Sequence, residues 1–412
     1  MSMRSPTAGP RQRERTLLFV HIPKAAGTSV QRFLYHQLPA QECLLDPPRP
    51  ETIDSGLDRY RLVAGHLDYD FAERFARRPF VLTCLRHPIE RALSSYYNLR
   101  TPRAPIELET MAQSGVAMIE KIIEDVRRLN RYDTLADFLR SEPDLARSWL
   151  GNVQTGYLAG GDAVAKYASQ PDRLLAVACE HLRACDGVLL AERLAETLGA
   201  IDPGWGERAR TSLRHDNANL GRPALHEHAS DVIDALTELT ALDLELYRLA
   251  EQLVEGGGSP GRLPAPFAVP ERAPPDFHFD QPIPGHGWHV RECHEGTWFC
   301  WTNEQAALTM NVAAKGDHEL RCEVRQAASL GAWTDLAVSV NGHPVALAAR
   351  TTAPPAEVTA RVPGAWLGSQ LATVAFRVAD TVRPCDHDPG NPDTRCLGLA
   401  FSRIRLVPVA TH

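Results

Sequence analysis

The chain is short of several features that would place a protein quickly. No apolar run is long enough to span a membrane. The opening MSMRSPTAGPRQRER is polar throughout, without the apolar stretch of a secretory signal. There is no basic excess: 44 Lys and Arg stand against 51 Asp and Glu, a formal net charge of -7, so no general affinity for nucleic acid is expected. The nine cysteines form no CxxC pair. An odd, scattered set suits a reducing compartment, and the four-ligand spacing of a metal site is missing, so none is expected.

Two similar stretches stand out instead. LLFVHIPKAAGTSVQRFL (17–34) and FVLTCLRHPIERALSSYYNLR (80–100) each read as a buried strand, a tight polar turn and an amphipathic helix. In the first, Pro23 ends the strand, because it cannot donate to a ladder. Ala25, Ala26 and Gly27 make the turn, and Thr28 and Ser29 open the helix. A helix N-terminus offers unpaired N–H groups and partial positive charge to a phosphate, and Lys24 adds a point charge. This is not a Walker A loop, because Lys24 precedes Gly27 instead of following the glycines. In the second, Arg86 lies at the strand end and Pro88 suits the first helical turn. Ser94 falls beside Glu90 and Arg91, off the apolar face of Ile89, Leu93, Tyr96 and Tyr97. A guanidinium and a hydroxyl so spaced can hold one phosphate. Two anion sites in one α/β domain point to a nucleotide with two separate phosphate groups.

These residues resemble the carbohydrate sulfotransferases related to heparan sulfate 2-O- and 6-O-sulfotransferases. That family's first motif looks like HIPKTGGTS and its second like RDPxxRxxSxYY. Lys24 to Ser29 match the first; Arg86 and Ser94 match the second. Ala25-Ala26 replace the usual Thr-Gly, and His87 replaces the usual Asp. GNVQTGYLAG (151–160), CDGVLLAERLAETL (185–198) and ALDLELYRLA (241–250) resemble later segments of the same family, in order. The resemblance implies 3'-phosphoadenosine 5'-phosphosulfate (PAPS) as co-substrate, with 3'-phosphoadenosine 5'-phosphate (PAP) as product. It assigns Lys24, Ala25, Ala26, Gly27, Thr28 and Ser29 to the 5'-phosphosulfate, and Arg86 and Ser94 to the 3'-phosphate. It also implies a hydroxyl of a carbohydrate or glycoconjugate as acceptor.

His66, in RLVAGHLDYDF (61–71), follows a short apolar strand between the two motifs. The resemblance makes it the catalytic base, a task for which an imidazole titrating near neutrality is suited. Asp68 or Asp70 is a candidate to orient it. His21 ranks second: it either touches sulfate or acceptor, or packs beneath the loop. The implied mechanism is in-line displacement at sulfur, with His66 taking the proton and Lys24 neutralising the leaving oxygen. No metal is required for it. Two other readings stay open, a nucleotide-dependent kinase on the same scaffold and an inactive glycan-binding protein. Golgi relatives carry a membrane anchor that this chain lacks, and with its Ala-, Leu- and Arg-rich composition a bacterial cytoplasmic enzyme is expected.

The expected layout is a disordered stretch over 1–14, a P-loop-like α/β sulfotransferase domain over 15–255, a Gly/Pro-rich linker over 256–276 and an all-β sandwich or jelly roll over 277–412. A long helix is expected over 106–129, walling the acceptor cleft. In the C-terminal part, helical patterning is nearly absent; 320–326, 335–348, 371–378 and 397–407 read as strands, with Asn341-Gly342 as a hairpin turn. Trp288, Trp298, Trp301, Trp333 and Trp366 serve either core packing or sugar stacking.

Overall fold

The computed structural model describes residues 15–47, 53, 56–100, 119–212, 222–256, 272–348, 353–367, 370–388, 391, 393 and 395–409. The N-terminal part is built on β1 (Leu17–Val20), β2 (Cys43–Leu45), β3 (Leu62–Gly65), β4 (Phe80–Leu85) and β5 (Gly187–Leu190). All pair in parallel, in the order β2-β3-β1-β4-β5. The chain goes to one side of β1 for β2 and β3, then crosses to the other for β4 and β5. Such a reversal leaves a crevice at the carboxyl ends of the strands flanking it.

Every residue of β1 and β4 is buried, because helices cover both faces of the sheet. Successive side chains alternate between these faces. Leu17 and Phe19 pack with α1 (Gly27–His36), through Val30, Phe33 and Leu34. Leu18 and Val20 pack on the opposite face, against Leu158, Leu182 and Leu246. The helices following α1 are α2 (Pro88–Leu99), α3 (Ile119–Leu129), α4 (Leu135–Ser141), α5 (Pro143–Leu150), α6 (Val153–Ala159), α7 (Gly161–Lys166), α8 (Pro171–Ala184), α9 (Leu194–Ile201), α10 (Pro203–Ser212), α11 (Ser230–Leu239) and α12 (Ala241–Glu255). α2, α4, α5 and α11 share a further apolar cluster centred on Leu93, Tyr96, Phe138 and Leu236. The helix expected over 106–129 is present as α3; its earlier part, with Met111 and Met118, lies outside the described residues, as do 1–14 and 257–271.

The C-terminal part is antiparallel. Its main strands run β12-β11-β14-β9-β15-β10-β13, from β9 (Thr297–Asn311), β10 (His318–Ala327), β11 (Ala337–Val340), β12 (His343–Pro344), β13 (Ala356–Val362), β14 (Leu371–Arg377) and β15 (Leu399–Pro408). β6 (Asp276–His278) pairs with β15, while β7 (Gly285–Trp288) and β8 (Glu292–His294) pair with β9. Short helices α13 (Leu330–Thr334) and α14 (Pro384–His387) interrupt it. β9 ties the sheet together, pairing with β15 at Cys300 and Trp301 and with β14 from Gln305 to Asn311. The sheet curls around a main core that includes Leu308, Leu320, Val358, Phe376 and Phe401, with a small second cluster of Phe299, Trp301, Leu397 and Ala400. Trp288, Trp301 and Trp333 are buried, and Trp298 and Trp366 are half-buried, so packing occupies most of the indoles. Asn341-Gly342 turns between β11 and β12, with both residues at positive φ. A parallel α/β unit followed by a β-rich one is therefore what the chain forms. Among the described residues no helix is long and apolar enough to cross a membrane.

Candidate active site

The three loops singled out by the sequence leave the carboxyl ends of three adjacent strands, β3, β1 and β4. His66 follows β3, Lys24 follows β1 and Arg86 follows β4.

The loop after β1 is made largely by backbone. Lys24 and Ala26 sit in the left-handed region, at φ 67 and 59. Ala26 is the N-cap of α1 and supplies no side-chain acceptor to its first turn. Gly27 is required by close approach: a Cβ there would lie 1.8 Å from the His21 ring. Thr28 is exposed, and Ala26 and Ser29 are half-buried, whereas Ala25 is fully buried and can contribute only backbone. Lys24 Nζ donates to Asn98 Oδ1 of α2 at 2.8 Å, which ties this loop to the helix of the other motif.

His21 is packed beneath the loop, the structural alternative of the two considered. Gln31 gives its amide N–H to Asp46 at 2.6 Å, so its oxygen faces His21 Nδ1 at 3.1 Å as an acceptor and Nδ1 carries the hydrogen. Burial, then the adjacent His66, hold the His21 imidazole down to about 3 against this bond. His66 is exposed, and its ring lies 4.3 Å from that of His21. His66 Nδ1 faces the His21 carbonyl at 3.0 Å. A carbonyl only accepts, so the hydrogen is on Nδ1 and the Nε2 lone pair is left for a proton. Asp68 and Asp70 do not orient this ring. Their carboxylates accept from the Gly161 and Asp162 amides at the start of α7.

The loop after β4 relies on side chains. Gln154 grips the Arg86 backbone from both sides, donating to its carbonyl and accepting from its N–H, each at 2.9 Å. Gln154 is fully buried, and its own amide is held by Asp243, which also accepts from the Thr155 amide and hydroxyl at 2.7 Å. The Arg86 guanidinium pairs with Glu90 at 3.2 Å, and Arg222 pairs with the same carboxylate. Burial, then Arg222, hold Arg86 below its ordinary value; burial opposes but Arg222 and Arg86 together bring Glu90 below its own. Two guanidinia sharing one carboxylate leave positive charge for an anion. Ser94 is half-buried on the same helix as Glu90. Arg91 points away from the cleft: it is 1% exposed and donates to the Leu150 carbonyl at 2.6 Å. His87 gives no side-chain cap to α2; the Glu192 carboxylate instead accepts the His87 N–H at 2.9 Å and the Tyr247 hydroxyl at the same distance.

The family model described as "Sulfotransferase family" matches residues 11–148. The N-terminal unit is similar to sulfotransferases. The match takes in the loops after β1 and β4, His66, Arg86 and Ser94, and stops before Gln154 and Asp243; it supports transfer of a sulfuryl group. No curated protein matches the chain. Among solved structures, one similarity is to a family GH115 4-O-methyl-alpha-glucuronidase with specificity for decorated arabinogalactans, at 11% identity and a TM-score of 0.21. It covers 72% of this chain, which spans 40% of that protein, and at that score it carries no argument.

Sequence reasoning did not find Arg222, Glu90 or Asn98 as partners of the sulfotransferase-like loops. Gln154 and Asp243 lay inside segments noted for likeness, but nothing in those segments disclosed what they hold. Among the described residues, no group of three His, Cys, Asp or Glu side chains could hold a metal.

Proposed function

We propose that the protein transfers the sulfuryl group of PAPS to a hydroxyl of a carbohydrate or glycoconjugate acceptor. The observation that carries this reading is the placement of Lys24, His66 and Arg86 at the ends of three neighbouring parallel strands, around a helix N-terminus. The donor fits the residues present. The first turn of α1, whose N-cap Ala26 supplies no side-chain acceptor, suits the 5'-phosphate through the amides of Gly27, Thr28 and Ser29. Arg86, with Arg222 beside it, suits the 3'-phosphate, and Ser94 offers a hydroxyl from α2.

In the proposed reaction the acceptor oxygen forms a bond to sulfur as the bond from sulfur to the bridging phosphate oxygen breaks. His66 Nε2 takes the acceptor proton, since Nδ1 is committed to the His21 carbonyl. Lys24 balances the charge that grows on the departing phosphate. Positioning and fixed charge do the chemical work, as in phosphoryl transfer. The helices beyond β4 then wall the acceptor, a sulfotransferase domain spans 15–255, and the 277–412 unit follows a linker over 256–276. The odd, scattered set of nine cysteines, with no CxxC pair, supports a reducing, cytoplasmic setting.

Calorimetry with PAP, and with AMP and ATP as controls, tests this. Binding that requires the 3'-phosphate supports both anion sites. Preference for ATP overturns the reading in favour of a kinase, and binding of none marks the domain as inactive.

A further inference from the structure

The carboxyl end of α1 is completed by the β-rich unit. The last carbonyls of a helix have no partner within it, and α1 lacks the glycine that commonly closes such an end. Gln37 satisfies two of them, its side chain bonding the Phe33 carbonyl and its backbone the Leu34 carbonyl. The Tyr35 carbonyl also accepts from the Leu38 amide at 3.3 Å, but it and the His36 carbonyl both meet residues far along the chain. Arg291 donates to the Tyr35 carbonyl across 256 positions of sequence, and to the Leu38 carbonyl at 2.7 Å. The Ile283 amide donates to the His36 carbonyl at 3.1 Å. The Arg291 guanidinium also lies 4.1 Å from the centre of the Tyr35 ring and donates to the Gln281 carbonyl at 2.6 Å. At 3% exposure it is almost wholly buried, and these acceptors are carbonyls, two of them, Tyr35 and Leu38, at the negative end of α1. The half-buried His36 ring meets the His289 carbonyl at 2.9 Å, a second tie across the same junction.

α1 therefore has the anion loop at one end and Arg291 at the other. We propose that Arg291 is a positioning residue for the donor site, clamping α1 from the β-rich unit so that its first turn is held ready for the 5'-phosphate. The clamp stands on the geometry above; the step from α1 to the donor rests on the proposed sulfotransferase reading. The β-rich unit is then part of the transfer machinery and not an appended module.

Hydrogen exchange on the whole 412-residue chain, with Arg291→Met and Arg291→Lys, separates the two. Arg291→Met is expected to lower protection of the α1 amides about tenfold while β4 keeps its own, and to weaken PAP binding about tenfold. Arg291→Lys, which keeps the charge but not the fork, should recover part of both. Unchanged α1 protection, or equal loss in α1 and β4, overturns the clamp. Loss of α1 protection with PAP affinity intact overturns the positioning role. If the unsubstituted protein does not bind PAP, the donor reading fails while the exchange comparison still decides the clamp. Should Arg291→Met not fold, the same comparison is made on Arg291→Lys.

Discussion

The two loops proposed to hold the donor's phosphates sit on neighbouring strands and are built by different means. The loop after β1 offers backbone: a helix end and two residues in left-handed geometry, with a single ammonium held by Asn98. The loop after β4 offers side chains: a guanidinium already paired with Glu90, reinforced by Arg222 and held in place through Gln154. A backbone site tolerates changes of side chain but not of backbone geometry. A guanidinium site fails with one residue and depends on distant supports. The first loop thus accommodates Ala25-Ala26 in place of Thr-Gly, whereas the second should be sensitive to Arg86 and to what holds it.

The largest effect should come from neither loop but from the imidazole between them. His66→Ala is expected to cut turnover about 10²–10⁴-fold, the usual worth of a positioned general base. PAP affinity should stay within a few-fold of the starting value, since the proposed phosphate contacts do not include this ring. Steady-state rates paired with calorimetry check this, and joint loss of both would make His66 structural.

Arg86→Ala should weaken PAP binding by about 1.5–3 kcal/mol, the scale of charge-assisted hydrogen bonds. Gln154→Ala tests the support beneath it. Removing the buried amide leaves the Arg86 N–H and carbonyl without this partner, at a cost of about 1–3 kcal/mol in folding stability. If the second loop depends on that support, PAP binding falls as well. A variant that loses stability but binds PAP normally at a temperature where it is folded would break the contrast between the loops.

Much of this arrangement was legible in the chain, for reasons that differ by region. β1 and β4 read clearly because continuous apolar runs beside a proline and a polar turn have few other uses. The strands β10 and β11 read from alternation, with Asn341-Gly342 marking the turn to β12, and 371–378 and 397–407 read as further strands. β9 did not, because it changes partners along its length: Phe299 to Asn303 are all buried, and the alternation is lost. The supports of the second loop were hidden for another reason. Arg222 reaches Glu90 from 132 positions away, and Asp243 reaches Thr155 from 88. Local pattern carries no trace of such pairs. Asp68 and Asp70 were candidates to orient His66 through closeness in sequence alone, whereas its Nδ1 meets a carbonyl contributed by another strand end.

Buried neutral imidazoles make stability depend on pH. Burial holds His289 at about 4 and His21 at about 3, and puts His36 well below its ordinary value. The unfolded chain binds these protons near pH 6.5, and the folded protein does not. Stability is therefore fully present above that pH and falls as pH drops from about 6.5 toward 4, by up to ~1.4 kcal/mol per pH unit for each such group. Urea unfolding at pH 7, 6 and 5 measures the slope. His289→Gln should flatten it, and an unaltered slope would show that His289 is protonated alike in both states. His21 lies beneath the first anion loop, whereas His289 lies at the junction with the β-rich unit. A slope lost only on replacing His21 would place the acid-sensitive step at the anion loop.

The smallest effect is expected where the first loop departs from the motif it resembles. Ala26 occupies the position of a glycine in HIPKTGGTS, and its φ of 59 explains why glycine suits it. A Cβ in left-handed geometry costs about 1–2 kcal/mol, and part of that returns because glycine loses more freedom on folding. Ala26→Gly is therefore expected to stabilise the protein by about 0.5–1 kcal/mol in urea unfolding. Because the amides of Gly27 to Ser29 keep their places, PAP affinity should barely change. A large gain in affinity would mean that the methyl group obstructs the phosphate, and a loss of stability would mean that Ala26 packs usefully against its surroundings. Either result would show that the first loop depends on a side chain after all and would erase its difference from the second.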